Sequence, residues 1–166
     1  MNRRDSIFTG LAAIAAVATL TPSAQAQDKA DNPALDAIRA LLKAHDDAMT
    51  NHDLKGVMAT LTEKASIMGT GPGEMWVGPE EIKDAYEHFF EGYDKGQQEF
   101  EYKFKHGGLS SDMGWLMASG NIKAKKSGKA VVFPINVSLT VVKAGDQWKI
   151  AAMHFSTLTG PDKAKQ

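Results

Sequence analysis

The sequence predicts an α+β domain with its helices gathered on one face of a sheet. Three observations carry this. Between Pro33 and Tyr93 apolar residues recur at helical spacing in three segments, and from Gln98 onward apolar and polar residues alternate with a period of two. No helical pattern returns after Gln98, so the three helices come ahead of the four long strands instead of alternating with them.

The elements follow in order. Asn32-Pro33 opens the first helix, with Asn as N-cap and Pro at the first helical position. Leu35, Ile38, Leu42, His45 and Met49 form its buried stripe, while Asp46 and Asp47 turn towards solvent or the stripe's edge. Asp53 caps a second, short helix carrying Leu54, Val57, Met58 and Leu61. Residues Ala65 to Thr70 read as a short strand leading into the glycine-rich loop Gly69-Thr70-Gly71-Pro72-Gly73-Glu74. A phosphate cradle of the form Gly-x-Gly-x-x-Gly would need glycine where Glu74 stands, and no Gly-Lys-Ser/Thr follows, so the loop reads as a tight turn. Trp76 and Val77 make a brief strand. Gly78-Pro79-Glu80-Glu81 then starts a third helix with Ile82, Tyr86, Phe89 and Tyr93 on its buried stripe.

Phe100, Tyr102 and Phe104 share one side of a half-buried strand spanning Gln98 to His106, and Met113 to Ala124 is the next strand. Lys125-Lys126-Ser127-Gly128-Lys129 turns the chain into a long hairpin, Val131 to Ser156. Gly145-Asp146 suits a two-residue type II′ turn. On that register Val141 faces Ile150, Leu139 faces Ala152, Val137 faces His154 and Ile135 faces Ser156, which sets His154 in an apolar wall of Val137, Leu139 and Ile150. Asn136, Ser138, Thr140, Ala151, Met153 and Phe155 then form the outer face.

Composition narrows the function. The 166 residues are 43% hydrophobic with a formal net charge of −1, giving no electrostatic case for nucleic acid or an anionic membrane surface. Cysteine is absent, which excludes disulfides, thiolate metal sites and a cysteine nucleophile. Residues 1–26 resemble an export signal: Arg3-Arg4, an Ala-rich apolar run from Gly10 to Leu20, and Ala24-Gln25-Ala26 as a small-residue cleavage site, with cleavage expected after Ala26. The run is too short for a membrane span of ~20 residues. The paired arginines in Asn2-Arg3-Arg4-Asp5-Ser6-Ile7-Phe8 resemble the twin-arginine motif, which makes that route the preferred one, while Ser6 stands where Phe is usual, so general secretion stays open. The expected organisation is signal 1–26, linker 27–32, one domain 33–160 and a polar tail 161–166. Its location is periplasmic or secreted, without membrane attachment after cleavage.

Two stretches carry a family resemblance. Thr70-Gly71-Pro72-Gly73-Glu74-Met75-Trp76-Val77-Gly78 before the third helix, and Trp148-x-Ile150-x-x-x-His154-x-Ser156 in the last strand, resemble SnoaL-like proteins of the nuclear transport factor 2-like superfamily. The last-strand pattern is also similar to the association domain of calcium/calmodulin-dependent kinase II. The resemblance implies a curved, mainly antiparallel sheet wrapped around three N-terminal helices, forming a cone with an internal pocket for a small, mostly apolar molecule. It further implies a homodimer through the outer sheet face. The superfamily holds isomerases, dehydratases, epoxide hydrolases, cyclases and non-catalytic modules, so fold does not fix function.

Candidate chemistry rests on His154 and His45, which could divide acid and base roles because histidine titrates near ~6.5. The bland alternative for His154 is a hydrogen-bonded core residue. Trp76 and Tyr86 are candidates for flanking the pocket mouth, with Val137, Leu139 and Ile150 as its wall. Glu74 and Asp46 are secondary acid/base candidates. A ketosteroid isomerase-type base finds no inward carboxylate on the strands Ala65 to Thr70 or Met113 to Ala124. An Asp-Arg-Asp arrangement of the epoxide hydrolase type finds only Arg39 after the leader. No close-spaced histidine pair suggests a metal, and no cofactor is implied. The expectation is an exported domain binding a small hydrophobic or amphipathic molecule, with acid/base catalysis of isomerase, cyclase or dehydratase type left open. The alternative is a non-catalytic dimerisation or partner-binding module.

Overall fold

A computed structural model of the chain describes residues 32–157. The expected export signal, the linker residues 27–31 and the polar tail lie outside the described residues. The elements are α1 (Pro33–Thr50), α2 (Leu54–Thr60), β1 (Leu61–Met68), β2 (Met75–Val77), α3 (Gly78–Gly92), β3 (Glu99–Leu109), β4 (Met113–Lys126), β5 (Lys129–Ala144) and β6 (Gln147–Ser156).

Local chemistry sets the helix starts. The Asn32 side chain accepts hydrogen bonds from the amides of Ala34 (3.1 Å) and Leu35 (3.3 Å), and Asp53 accepts from Gly56 (2.9 Å). At α3 the Glu81 carboxylate reaches back to accept from the Val77 amide at 2.7 Å. β1 begins at Leu61, earlier than the expected Ala65, because α2 stops at Thr60.

The six strands form one mixed sheet in the order β2-β1-β6-β5-β4-β3. β1 runs parallel to β6 and antiparallel to β2, and the four long strands are antiparallel. At the β4–β5 tip Ser127 (φ 51°) and Gly128 (φ 77°) both adopt the left-handed region, as a type I′ turn requires. Asp94, just after α3, clasps this tip: its carboxylate accepts from the amides of Ser127 (3.0 Å) and Gly128 (2.7 Å). The β5–β6 turn has Gly145 at φ 62° and no positive φ at Asp146, consistent with the expected type II′.

Helices and sheet share a core whose centre is Val57, Ile82, Val141 and Ile150, all below 2% exposed. The expected pairings Val141–Ile150 and Ala144–Gln147 are present. Beyond Ile150 the register departs from expectation. A β-bulge skips Ala151, so Thr140 pairs with Ala152, Leu139 with Met153 and Val137 with Phe155. Met153 and Phe155, expected outside, therefore pack inward, and His154, expected inside, turns out. Magnitudes explain the choice. Burying a Met or Phe side chain contributes roughly 1.5–3 kcal/mol each, whereas one interrupted ladder hydrogen bond costs about 1 kcal/mol.

A second bulge sits in β3. Tyr102 pairs with Gly120 and Phe104 with Ser119, which leaves Lys103 as the extra residue. Tyr102 stays inward, Phe104 flips outward to 75% exposure, and Lys105, opposite the buried Ala118, is turned to the helical side of the sheet while remaining exposed.

Candidate functional site

His154 stands exposed on the outer sheet face, paired with Ser138, and does not share the wall formed by Val137, Leu139 and Ile150. Those three residues are buried in the core at 6%, 8% and 0% exposure. The expected His45/His154 pair is thus divided between opposite faces of the sheet. Two adjoining depressions of about 610 and 420 Å³ both reach His154 from outside. Phe104, Met117, Ser138 and Ser156 line the first, and Met68, Trp115, Thr140 and Ala152 the second.

His45 is inward and buried at 4% exposure, as its place on the α1 stripe predicts. Its Nδ1 lies 2.8 Å from Thr60 Oγ1 and its Nε2 3.3 Å from the Tyr86 hydroxyl. Burial lowers its pKa to about 4, so the imidazole is neutral near pH 7. Tyr86 is itself buried at 6% exposure on α3, and Trp76 is half-buried against the core. Glu74 closes the glycine loop by accepting from the Gly71 amide at 2.7 Å, a structural task.

The residue after His45 matters more than the sequence suggested. Asp46 is half-buried, and burial pushes its carboxyl up to about 6. Asp47 adds to this, while Lys105 and Lys43 hold it back. Burial, and after it the Asp46 charge, raises the pKa values of both Tyr86 and Tyr102. The Lys105 ammonium lies 5.3 Å from the centre of the Tyr102 ring. Asp46 from α1, Tyr86 from α3, and Tyr102 and Lys105 from β3 therefore act on one region of the sheet's helical face. A signal for Asp46 was present in the sequence: it lies four residues after Leu42 and three before Met49, alongside the apolar stripe. Lys105 gave none, since it reaches this face only through the β3 bulge.

A pH prediction follows. The folded-state pKa of Asp46 lies above its ordinary value of 3.8. Its stabilising contribution is therefore fully present below about pH 4 and is lost as pH rises through about 6, at most about 3 kcal/mol before solvent screening reduces it. His45 has a lowered pKa and acts oppositely: its contribution is full above about pH 6.5 and is lost as pH falls towards 4. Asp46→Asn isolates the first effect. Urea unfolding should find the variant more stable than the parent at pH 7.5 and equal to it at pH 4; equal stability at both would refute the raised pKa.

Among the described residues no three His, Cys, Asp or Glu side chains gather as metal ligands, and no helix is long and apolar enough to cross a membrane. Among curated protein sequences none matches this chain. Solved structures do. An NTF2-like protein of unknown function from Pseudomonas putida KT2440 aligns with TM-score 0.66 and 15% identity, covering 80% of this chain and 92% of that one. A ketosteroid isomerase-like protein from Erwinia carotovora atroseptica SCRI1043 aligns with TM-score 0.63 and 24% identity, covering 78% and 99%. A protein of unknown function with a cystatin-like fold from Nostoc punctiforme PCC 73102 aligns with TM-score 0.63 and 12% identity, covering 77% and 93%. These likenesses establish the fold. The family model of the SnoaL-like domain matches residues 38–160, and the chain belongs to that family.

Proposed function

We propose that the helical face of the sheet between α1 and β3 binds a small hydrophobic or amphipathic molecule, with Asp46 exchanging a proton with it. The observation that supports this reading is the meeting of one half-buried carboxylate with two tyrosines and a lysine ammonium on an otherwise apolar face. A carboxylate titrating near 6 is mostly ionised at neutral pH yet more basic than an ordinary aspartate, which suits a general base. Lys105 would stabilise negative charge developing on the ligand. Proton removal of this kind begins isomerisation, cyclisation and dehydration alike. The fold shared with a ketosteroid isomerase-like protein supports the reading by analogy only.

Native mass spectrometry of the exported protein tests it. A small co-purified molecule is expected in the parent and should be lost in Tyr102→Ala. Failure to find one, together with failure to bind the apolar dye anilinonaphthalene sulfonate in a Tyr102-dependent way, would overturn the reading.

A second proposal concerns assembly. The outer face is unusually apolar for a free surface, with Phe104 75%, Met117 58%, Met68 45% and Trp115 39% exposed. Around this patch Ser66, Ser119, Asn136, Ser138, Thr140, Ala152, His154 and Ser156 carry no carboxylate or ammonium, and the charged residues Glu99, Glu101 and Lys123 of the same face lie towards the β4–β5 tip, where Lys123 pairs with both glutamates. A two-fold interface sets a face against its own copy, and a patch whose centre is apolar and uncharged meets no like-charge repulsion there. We propose that a second copy of the chain covers it. Light scattering at micromolar concentration should give a dimer for the parent and a monomer for Met117→Glu; a monomeric parent would remove the proposal.

We also propose export through the leader to the periplasm or beyond, the twin-arginine route being preferred. N-terminal sequencing of the periplasmic protein should start at Gln27, and replacing both Arg3 and Arg4 by Lys should retain the precursor in the cytoplasm.

A further inference from the structure

The buried hydrogen-bond chain behind the proposed site has only one consistent order of protons. Val57 O, in the last turn of α2, is denied its usual helical partner because the Leu61 amide bonds Met58 O instead. Thr60 Oγ1 donates to Val57 O at 2.6 Å, which satisfies the carbonyl and uses the hydroxyl's single proton. Thr60 Oγ1 must then accept from His45 Nδ1, 2.8 Å away. A neutral imidazole carries one N–H, so Nε2 holds a lone pair, and the Tyr86 hydroxyl, 3.3 Å distant, must donate to it. Thr60 and His45 are buried at 6% and 4% exposure, which leaves bulk water little scope to substitute for these partners.

From this we infer that His45 is a fixed Nδ1–H tautomer acting as a positioning residue, and that Tyr86 offers the proposed ligand a hydrogen-bond acceptor and no donor. The inference rests on the small-molecule reading above and specifies its ligand class. A group placed against the Tyr86 oxygen must itself carry a proton, as an alcohol, phenol or N–H does; a carbonyl or enolate oxygen is excluded from that position. Tyr86 is thereby removed as an oxyanion donor. The hydroxyl free for that task is Tyr102, which makes no hydrogen bond among the described residues.

Two measurements test this. In ¹⁵N-histidine-labelled protein, His45 should show a protonated, pyrrole-type Nδ1 and an unprotonated, pyridine-type Nε2, unchanged from about pH 8 to about pH 5. Thr60→Val, which removes the acceptor for Nδ1–H, should release that tautomer into a mixture. The opposite tautomer in the parent, or an imidazolium appearing in that range, would overturn the assignment. For the ligand class, 2-naphthol should bind the parent roughly tenfold more tightly than 2-methoxynaphthalene. The preference should disappear in Tyr86→Phe. Equal binding of both probes to the parent would overturn the donor requirement while leaving the binding site intact. Binding of neither would instead remove the small-molecule reading and the ligand class with it, and the tautomer assignment would then be decided by the NMR pattern alone.

Discussion

Replacing Gly120 with Ala should destabilise the domain by about 3 kcal/mol or more. A Cβ built at this position would lie 2.0 Å from the carbonyl oxygen of Glu101 and 2.8 Å from Cα of Tyr102, both backbone atoms that cannot swing aside. The close approach exists because β3 bulges at Lys103 opposite this glycine. Relief would require β3 to straighten or separate from β4. Straightening would turn Lys105 to the outer face and return Phe104 inward, so the surviving protein should also lose the influence of Lys105 on Asp46. Gly92→Ala is the control, since nothing lies within 4 Å of a Cβ there; in the last turn of α3 it should be neutral or stabilising by a few tenths of a kcal/mol. Urea unfolding of both variants decides the matter, and a Gly120→Ala protein within about 0.5 kcal/mol of the parent would contradict the steric argument.

Deleting Ala151 should be tolerated far better than deleting Met153, two residues further along the same strand. Ala151 is the unpaired residue of the β6 bulge, so its removal leaves Ile150 opposite Val141 and Ala152 opposite Thr140 in an uninterrupted ladder. Met153 and Phe155 keep their inward places. Deleting Met153 removes a residue 7% exposed and also reverses every side chain after it, which brings His154 to the core face and turns Phe155 to the outside. The expected loss is that of two large apolar groups, roughly 3–6 kcal/mol, enough to unfold a domain of ordinary stability. Circular dichroism melts of the two deletion variants provide the comparison. Equal damage from both would show that the bulge's bend, and not its register shift, is what β6 requires.

These bulges mark where sequence reading stops. Asn32, Asp53 and Glu81 at helix starts, and Gly145 and Ser127-Gly128 at turns, act through neighbours within four residues, so their roles were legible locally. The alternation of β6 was equally legible up to Ile150. Past that point two phases of the same strand were open, and the choice depended on what Leu139 and Val137 meet across the sheet. A two-residue turn fixes register only until the ladder is interrupted, which placed His154 on the wrong side. Phe104 was misplaced for the same reason in β3. Asp46 failed differently. Its helical phase was readable, but the groups it acts on or that act on it, Tyr86, Tyr102 and Lys105, stand on elements remote in sequence.

The parallel pairing of β1 with β6 joins Leu61 to Ile150 and Met68 to His154, partners separated by most of the sheet-forming chain. Loop-closure entropy for such a contact is spent before any native energy returns, which makes folding slow relative to a helical bundle of equal size. A chain in which β6 has yet to be made leaves β1 with only the short β2 beside it and without the neighbour that pairs with Leu61, Ser66, Ile67 and Met68, so the sheet cannot close until β6 has been made. Removal of β6 should accordingly be felt in β1, remote from it in sequence, as loss of amide protection there.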